Sequence, residues 1–298
     1  MSVESYDYAV VGGDRRQVYL AKILREKGYK VCTYGLCEEI KQEEKSKRAF
    51  IKSVDSMEIA IKSSKNILAP IPLFVERNGE VFFHHMGSEV ISIQRFIRDI
   101  KEGQTLFAGC IPEGIKEELL EKGVTILDYM KRKELAIYNS IATAEGVLAE
   151  AISKSFRNIH GSNSCVIGYG VCGKTIVQYL KSMHANVTVC VRREEAKAAA
   201  EITADKAVFM ESLEGVLGKS DFVFNTVPEQ ILDKTVLKSM KKDGIIFDIA
   251  SGSGGIDLEL ASEMGIKAYS CKGLPGKYAP KSSAEMMAYV VEKRRAAE

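Results

Sequence analysis

A chain of 298 residues, 46% of them hydrophobic, has enough apolar mass for two domains of common size. Its 42 basic and 40 acidic residues leave a net charge of +2, which argues against nucleic acid or a membrane surface as the main partner. No apolar run approaches the roughly 18 residues of a membrane span, and the polar start Met1–Asp7 lacks a signal-peptide core, so the cytoplasm is the expected compartment.

The pattern alternates strand and helix along the whole chain, which predicts an α/β protein with parallel sheets. A first strand is expected at Tyr8–Val11, turned by Gly12-Gly13-Asp14 into a helix from about Arg15 to Lys27. A second strand falls at Lys30–Tyr34. The Lys- and Glu-rich stretch from Cys37 to Lys52 reads as exposed, and Asn66–Ala69 as a third strand. Asn78-Gly79 predicts a hairpin turn. A helix from about Ser88 to Lys101 places Val90, Ile93, Ile97 and Ile100 on one face. Strands follow at Thr105–Ala108 and Val124–Leu127, with a helix between them. A long helix from about Lys131 to Ser155 reads as a bridge between two domains. Six further strands are expected near Cys165, Val189, Val208, Val223, Ile246 and Ala268, and a last helix from about Ala279 to Ala297.

These elements predict two doubly wound parallel-sheet domains. Residues 1–138 form a substrate domain, with the C-terminal segment 276–298 packing back on it. Residues 139–275 form a Rossmann dinucleotide-binding domain. Two such domains enclose a cleft in which a substrate would face a nicotinamide.

The seven cysteines are widely spaced without a C-x-x-C, so reduced thiols are expected rather than disulfides or metal ligands. Cys32, Cys110, Cys165 and Cys190 sit in strand-like runs and are expected to be buried. None of the four histidines has metal-ligand spacing with a third residue, so no metal is expected.

The most informative stretch is Val166–Thr175 (VIGYGVCGKT). Gly168, Gly170 and Gly173 form G-x-G-x-x-G between an apolar strand and a helix. Gly168 permits a tight turn, Gly170 lets the backbone approach a pyrophosphate, and Gly173 lets helix and strand pack closely. Helix-start N–H groups then favour the phosphates. Tyr169, Val171 and Cys172 complete the loop. About 20 residues on, where NAD sites place an acid, stand Arg192 and Arg193. An arginine forks onto a 2′-phosphate, so NADP is the expected coenzyme. The bland alternative is a solvated pair neutralised by Glu194 and Glu195. Thr226, Val227 and Pro228 follow Asn225 at the end of one strand, and Asp248 closes the next; both places are coenzyme candidates.

With these residues in view, the chain resembles the A-subunit family of dipicolinate synthases from spore-forming bacteria. Four islands carry the likeness: Gly12–Gln17 (GGDRRQ), Ala136–Gly146 (AIYNSIATAEG), Val166–Thr175, and Gly273–Glu285 (GLPGKYAPKSSAE). The resemblance implies NADP-dependent oxidation of dihydrodipicolinate to dipicolinate in the mother cell of a sporulating bacterium. It also implies a partner, the flavoprotein-like B subunit; a homo-oligomer is expected too. The chain departs from the family at Ala142, where proline is usual. It departs again at Gly252-Ser253, where a basic residue and proline are usual. The second departure keeps open another small amino or hydroxy acid as substrate. A non-catalytic, regulatory NADP-binding protein is a third reading.

A dicarboxylate substrate is a dianion and needs positive charge or helix N-termini. In Gly12–Gln17, exposed backbone N–H groups, the fork of Arg16 and the amide of Gln17 fit that need, with a cap and an Asp14–arginine ion pair as the plain alternative. Asn139 and Thr143 share a helix face with Ser140 nearby, a polar stripe for substrate; Asn139 is also a catalytic candidate. Glu145 is the candidate general base, provided the helix buries it. Lys277, with Lys281 beyond it, is a candidate for the second carboxylate.

Overall fold

The computed structural model describes residues 5–36, 51–77, 80–84, 90–252 and 254–296. The Asn78-Gly79 turn, His85, Ser88, Ser253, Ala297 and most of the stretch from Cys37 lie outside the described residues. The chain divides into two compact units, Met1–Ala136 with Ala279–Glu298, and Ile137–Tyr278.

In the first unit, β1 (Tyr8–Val11) leads through Gly12 and Gly13 to α1 (Arg15–Glu26), β2 (Val31–Tyr34), β3 (Ile51–Ser53), α2 (Met57–Lys62) and β4 (Asn66–Leu68). An antiparallel hairpin, β5 (Phe74–Arg77) and β6 (Glu80–Phe83), precedes α3 (Ile93–Asp99), β7 (Thr105–Ala108), α4 (Glu113–Glu121) and β8 (Thr125–Asp128). The six-stranded sheet runs β3-β2-β1-β4-β7-β8, all parallel. Successive side chains of β1 alternate between two cores, because strand side chains point to opposite faces. Ala9 and Val11 join Met57, Ile67, Phe96 and Leu106 on one side. Tyr8 and Val10 join Val18, Leu24, Leu68 and Phe107 on the other.

Three expectations need correction in this unit. Ile51–Ser53 is an edge strand beside β2, with Ile51 buried; three residues with one apolar position give too short a run to stand out from the charged stretch before it. Helix α2 is an additional element: Ser56 caps it by accepting from Ile59 N at 3.2 Å, and Met57, Ala60 and Ile61 carry helical spacing. Helix α3 begins after its cap Ser92 rather than at Ser88, so Val90 is exposed instead of sharing the buried face.

A long helix, α5 (Lys133–Lys154), leads into the second unit. There β9 (Asn163–Ile167), α6 (Val171–Ser182), β10 (Asn186–Val191), α7 (Glu194–Glu201), β11 (Lys206–Phe209) and α8 (Leu213–Leu217) follow. Next come β12 (Phe222–Asn225), α9 (Lys234–Leu237), β13 (Ile245–Asp248), α10 (Leu258–Glu263), β14 (Lys267–Ser270) and α11 (Leu274–Tyr278). The sheet order is β11-β10-β9-β12-β13-β14, again parallel throughout. Counted by their own strands, both sheets therefore share one doubly wound order, with a switch point beside the first strand. The last helix, α12 (Pro280–Arg295), packs with α1: Met287, Val290 and Val291 share a core with Val18, Leu20 and Leu24.

Of the thiols, Cys32, Cys165, Cys190 and Cys271 are buried, but Cys110 is exposed. It sits past the end of β7 with a positive φ of 54°, where the strand has already turned.

The close fit of β9 to α6 rests on Gly173. A methyl group there would overlap the carbonyl oxygen of Gly168, a backbone atom that cannot swing away. Gly173→Ala should therefore destabilise the full chain by about 1–3 kcal/mol, measured by denaturant unfolding. Unchanged stability would show that the strand and helix have room to part.

Candidate functional site

The turn after β9 is built to leave a helix end open. Gly168 has φ +91°, and a methyl group there would come within 2.6 Å of Thr226 Oγ1. Thr226 donates to Ile167 O with both its hydroxyl (2.8 Å) and its backbone N–H (3.0 Å), drawing the loop after β12 against the end of β9. Gly170 is the N-cap of α6, and no side chain caps that helix. Nothing lies within 4 Å of the point where a Gly170 side chain would begin. The first N–H groups of a 12-residue helix thus face open space with the positive end of its dipole. The residues present fit a dinucleotide pyrophosphate.

The other loop residues are accounted for individually. Tyr169 turns its hydroxyl to Thr203 Oγ1, and Lys174 Nζ stands 5.6 Å from its ring centre. Val171 is exposed. Cys172 is half-buried, and burial pushes its thiol up. Val227 is half-buried and Pro228 exposed.

Asp248 does not face an open site. It is buried, accepts from Asn225 Nδ2 at 2.7 Å and from the backbone N–H groups of Gly255 (3.1 Å) and Ala250 (3.4 Å), and so pins the loop after β13. Asn225 in turn holds Val227 N and Val227 O, both at 3.1 Å. The pair shapes the two loops beyond β12 and β13; as a direct coenzyme contact, Asp248 is corrected to a positioning residue. At Gly252, where the sequence lacks a basic residue, Lys272 Nζ reaches the backbone carbonyl at 2.6 Å, so a cation does stand at this loop.

Arg192 and Arg193 are exposed at the end of β10. Their expected neutralising partners, Glu194 and Glu195, do not engage Arg192. Its guanidinium forks onto Glu229 instead, at 2.5 and 3.0 Å. Arg193 is the N-cap of α7.

On α5, Ser140 is buried, donates to Ile137 O at 2.6 Å and lies 2.7 Å from Thr175 Oγ1. Thr143 donates back to Asn139 O at 2.8 Å. Asn139 is exposed. Glu145 is exposed and accepts from Tyr179 Oη at 3.1 Å; the burial that a general base on this helix requires is absent. Lys277 is also committed, donating to the buried Glu150, which accepts from Tyr278 Oη at 2.6 Å as well. Its ammonium ties α11 to α5 rather than standing ready for a carboxylate. Lys281 is exposed in the first turn of α12.

The corresponding turn in the first unit is closed. Gly12 N–H donates to Tyr34 O and Gly13 N–H to His84 O, both at 2.8 Å, so neither is exposed as expected. Asp14 caps α1 in a reciprocal capping box with Gln17. Arg16 is buried and forks onto Asp14, with Nε at 2.9 Å and Nη2 at 2.8 Å, and Nη2 also reaches Ile71 O at 2.5 Å. The carboxylate that Arg16 grips is thus two residues away in its own chain. Gln17 is fully buried; its Oε1 serves the cap, while Nε2 has no hydrogen-bond partner.

Among the described residues no group of three His, Cys, Asp or Glu could hold a metal ion, and no helix is long and apolar enough to cross a membrane.

Comparison with known proteins agrees with this geometry. Residues 130–257 match the NAD-binding domain of D-isomer-specific 2-hydroxyacid dehydrogenases. The class is that of an oxidoreductase with a nicotinamide dinucleotide. Residues 7–130 match the N-terminal domain of the dipicolinate synthase A subunit. The A subunit of dipicolinate synthase from Bacillus subtilis is 30% identical over 292 residues, 96% of this chain and 94% of the relative. The chain belongs to the dipicolinate synthase A-subunit family. The crystal structure of the family member from Bacillus halodurans superposes with a TM-score of 0.81 at 25% identity, covering 98% of each chain. That of the Bacillus subtilis member gives 0.81 at 26%, covering 100% of this chain and 97% of the other. A Sinorhizobium meliloti transhydrogenase shares the fold, with a TM-score of 0.66 at 16% identity over 96% of this chain and 94% of its own.

The open helix end and the Glu150 cluster each give a measurable outcome. Gly170→Ser should keep or raise stability, because serine is a good N-cap. It should weaken pyridine-nucleotide binding by about tenfold or more, because its hydroxyl caps the N–H groups and fills the space a phosphate needs. Unchanged affinity by calorimetry would place the pyrophosphate elsewhere. For Glu150, the Lys277 ammonium and then the Tyr278 hydroxyl hold its carboxyl below the ordinary 4.5. A lowered folded value gives stability that is present above 4.5 and lost as pH falls through the folded value. Lys277→Met should therefore lower stability at neutral pH, measured by denaturant unfolding. The loss should shrink in acid, and an equal loss at both pH values would mean the lysine stem matters rather than its charge.

Proposed function

We propose that this chain oxidises dihydrodipicolinate to dipicolinate with NADP⁺, during sporulation in the mother cell, and works with a flavoprotein-like B subunit. The observation that carries the proposal is the uncapped start of α6 behind Gly168 and Gly170, in a chain aligned over nearly its full length with a dipicolinate synthase A subunit. Support for NADP over NAD comes from the end of β10, where Arg192 and Arg193 stand and no acid occupies the ribose position.

The bound nicotinamide supplies a hydride acceptor. The protein's own work is then to hold and orient. The N–H groups of Val171, Cys172 and Gly173 would hold the pyrophosphate, and Arg192 with Arg193 would hold the 2′-phosphate. Asn225 and Asp248 fix the loops after β12 and β13, so that Thr226, Val227 and Pro228 keep one shape. For the dianionic substrate, Gln17 Nε2 is a buried donor still lacking an acceptor, and Arg16 is its cationic neighbour. Asn139, Ser140 and Thr143 supply an amide and two hydroxyls from one helix. Orientation is the main contribution, because aromatisation of the ring favours the reaction by itself. A homo-oligomer belongs to the same proposal.

The departure at Gly252-Ser253 favours a second substrate class, with another small amino or hydroxy acid as the alternative. The test is to mix the full chain with dihydrodipicolinate and NADP⁺, with and without the B subunit, and follow the near-ultraviolet band of reduced nicotinamide. Growth of the band, faster with NADP⁺ than NAD⁺, is expected. No growth with either coenzyme or partner, on protein that binds NADP⁺, would remove the activity. Growth with an amino or hydroxy acid instead would move it to the second class.

A further inference from the structure

The Arg192–Glu229 pair occupies a particular place. Arg192 follows β10 and Glu229 lies in the loop after β12. In the sheet β9 stands between those two strands, and the glycine turn leaves from its end. A salt bridge joining the outer two must therefore span the carboxyl end of β9. The adenosine of a dinucleotide crosses this edge toward the second strand, with its ribose at the residue that closes that strand. The pair is two-pronged, with Nη1 on Oε2 and Nη2 on Oε1, the same fork a phosphate would occupy. Both side chains are more than half exposed, at 56% and 57%. Exposed ion pairs contribute little, so a ligand can open this one.

The chemistry of opening differs between coenzymes. A ribose 2′-hydroxyl can donate to Glu229 and leave Arg192 in place. A fully ionised 2′-phosphate has no proton to give; it needs the Arg192 fork and meets the Glu229 carboxylate beside it as a like charge.

We propose that Glu229 sets coenzyme selectivity by competing with the 2′-phosphate for Arg192, so that NADP⁺ binds only by opening this pair. The inference rests on the reading of Arg192 as the 2′-phosphate site. Glu229 thus holds down affinity for NADP⁺ relative to what Arg192 and Arg193 alone would give.

The experiment is calorimetric titration of NADP⁺ and of NAD⁺ into the full-length wild type, Glu229→Gln and Arg192→Ala, at low and at high salt. Glu229→Gln keeps the shape and removes the charge. It should tighten NADP⁺ by about fivefold at low salt, less at high salt, and leave NAD⁺ unchanged or weaker. Arg192→Ala should weaken NADP⁺ by about tenfold and NAD⁺ little. If Arg192→Ala weakens NADP⁺ selectively while Glu229→Gln changes nothing, or shifts both coenzymes equally, the competition is overturned and the phosphate site stands. If Arg192→Ala leaves NADP⁺ untouched, the phosphate site falls and the competition with it.

Discussion

The first backbone N–H groups of α6 go unanswered by any capping side chain, and the neighbouring loops of the second unit are arranged around those free donors. Gly168 takes a left-handed conformation so that the strand can turn sharply into the helix. Gly173 lets that helix sit against the turn's own carbonyl. Thr226 brings the next loop up to the same strand end, and the Asn225–Asp248 pair fixes the loops beyond. Each device brings backbone and short side chains close around one edge of the sheet. A helix end that a protein leaves uncapped beside open space is an anion site in the making.

The first unit shows what the alternative looks like. It has the same strand order, and a pair of glycines after its first strand as well. There the chain supplies its own anion: Asp14 caps α1, Arg16 closes on Asp14, and the two glycine N–H groups go to Tyr34 and His84 carbonyls. One architecture thus carries two opposite solutions to the same helix-end problem. A single residue type at the N-cap separates them, aspartate in one unit and glycine in the other.

Much of this is legible in the sequence, and the reasons for the rest are physical. The inner strands announce themselves because both faces are buried, so β1, β9, β10 and β13 read as largely apolar runs. The edge strand β3 does not, since only Ile51 of its three residues is buried. The glycine turn is readable because its requirements are local. What escapes a linear reading is non-local pairing. Nothing near Lys277 in sequence reveals that Glu150, 127 positions earlier, takes its charge. Nothing near Arg192 points to Glu229 rather than the adjacent Glu194 and Glu195. Charged side chains reach several ångströms and choose partners by the fold, so their roles are the last thing a linear pattern yields.

The coenzyme reading comes down to a location: the pyrophosphate of a nicotinamide dinucleotide on the start of α6. A crystal structure of the full chain grown with NADP⁺ tests it most directly. The account requires phosphate oxygens within hydrogen-bond distance of the N–H groups at Val171–Gly173, over the open side of Gly170. A coenzyme seen bound at any other edge, with those N–H groups facing only solvent, would contradict it.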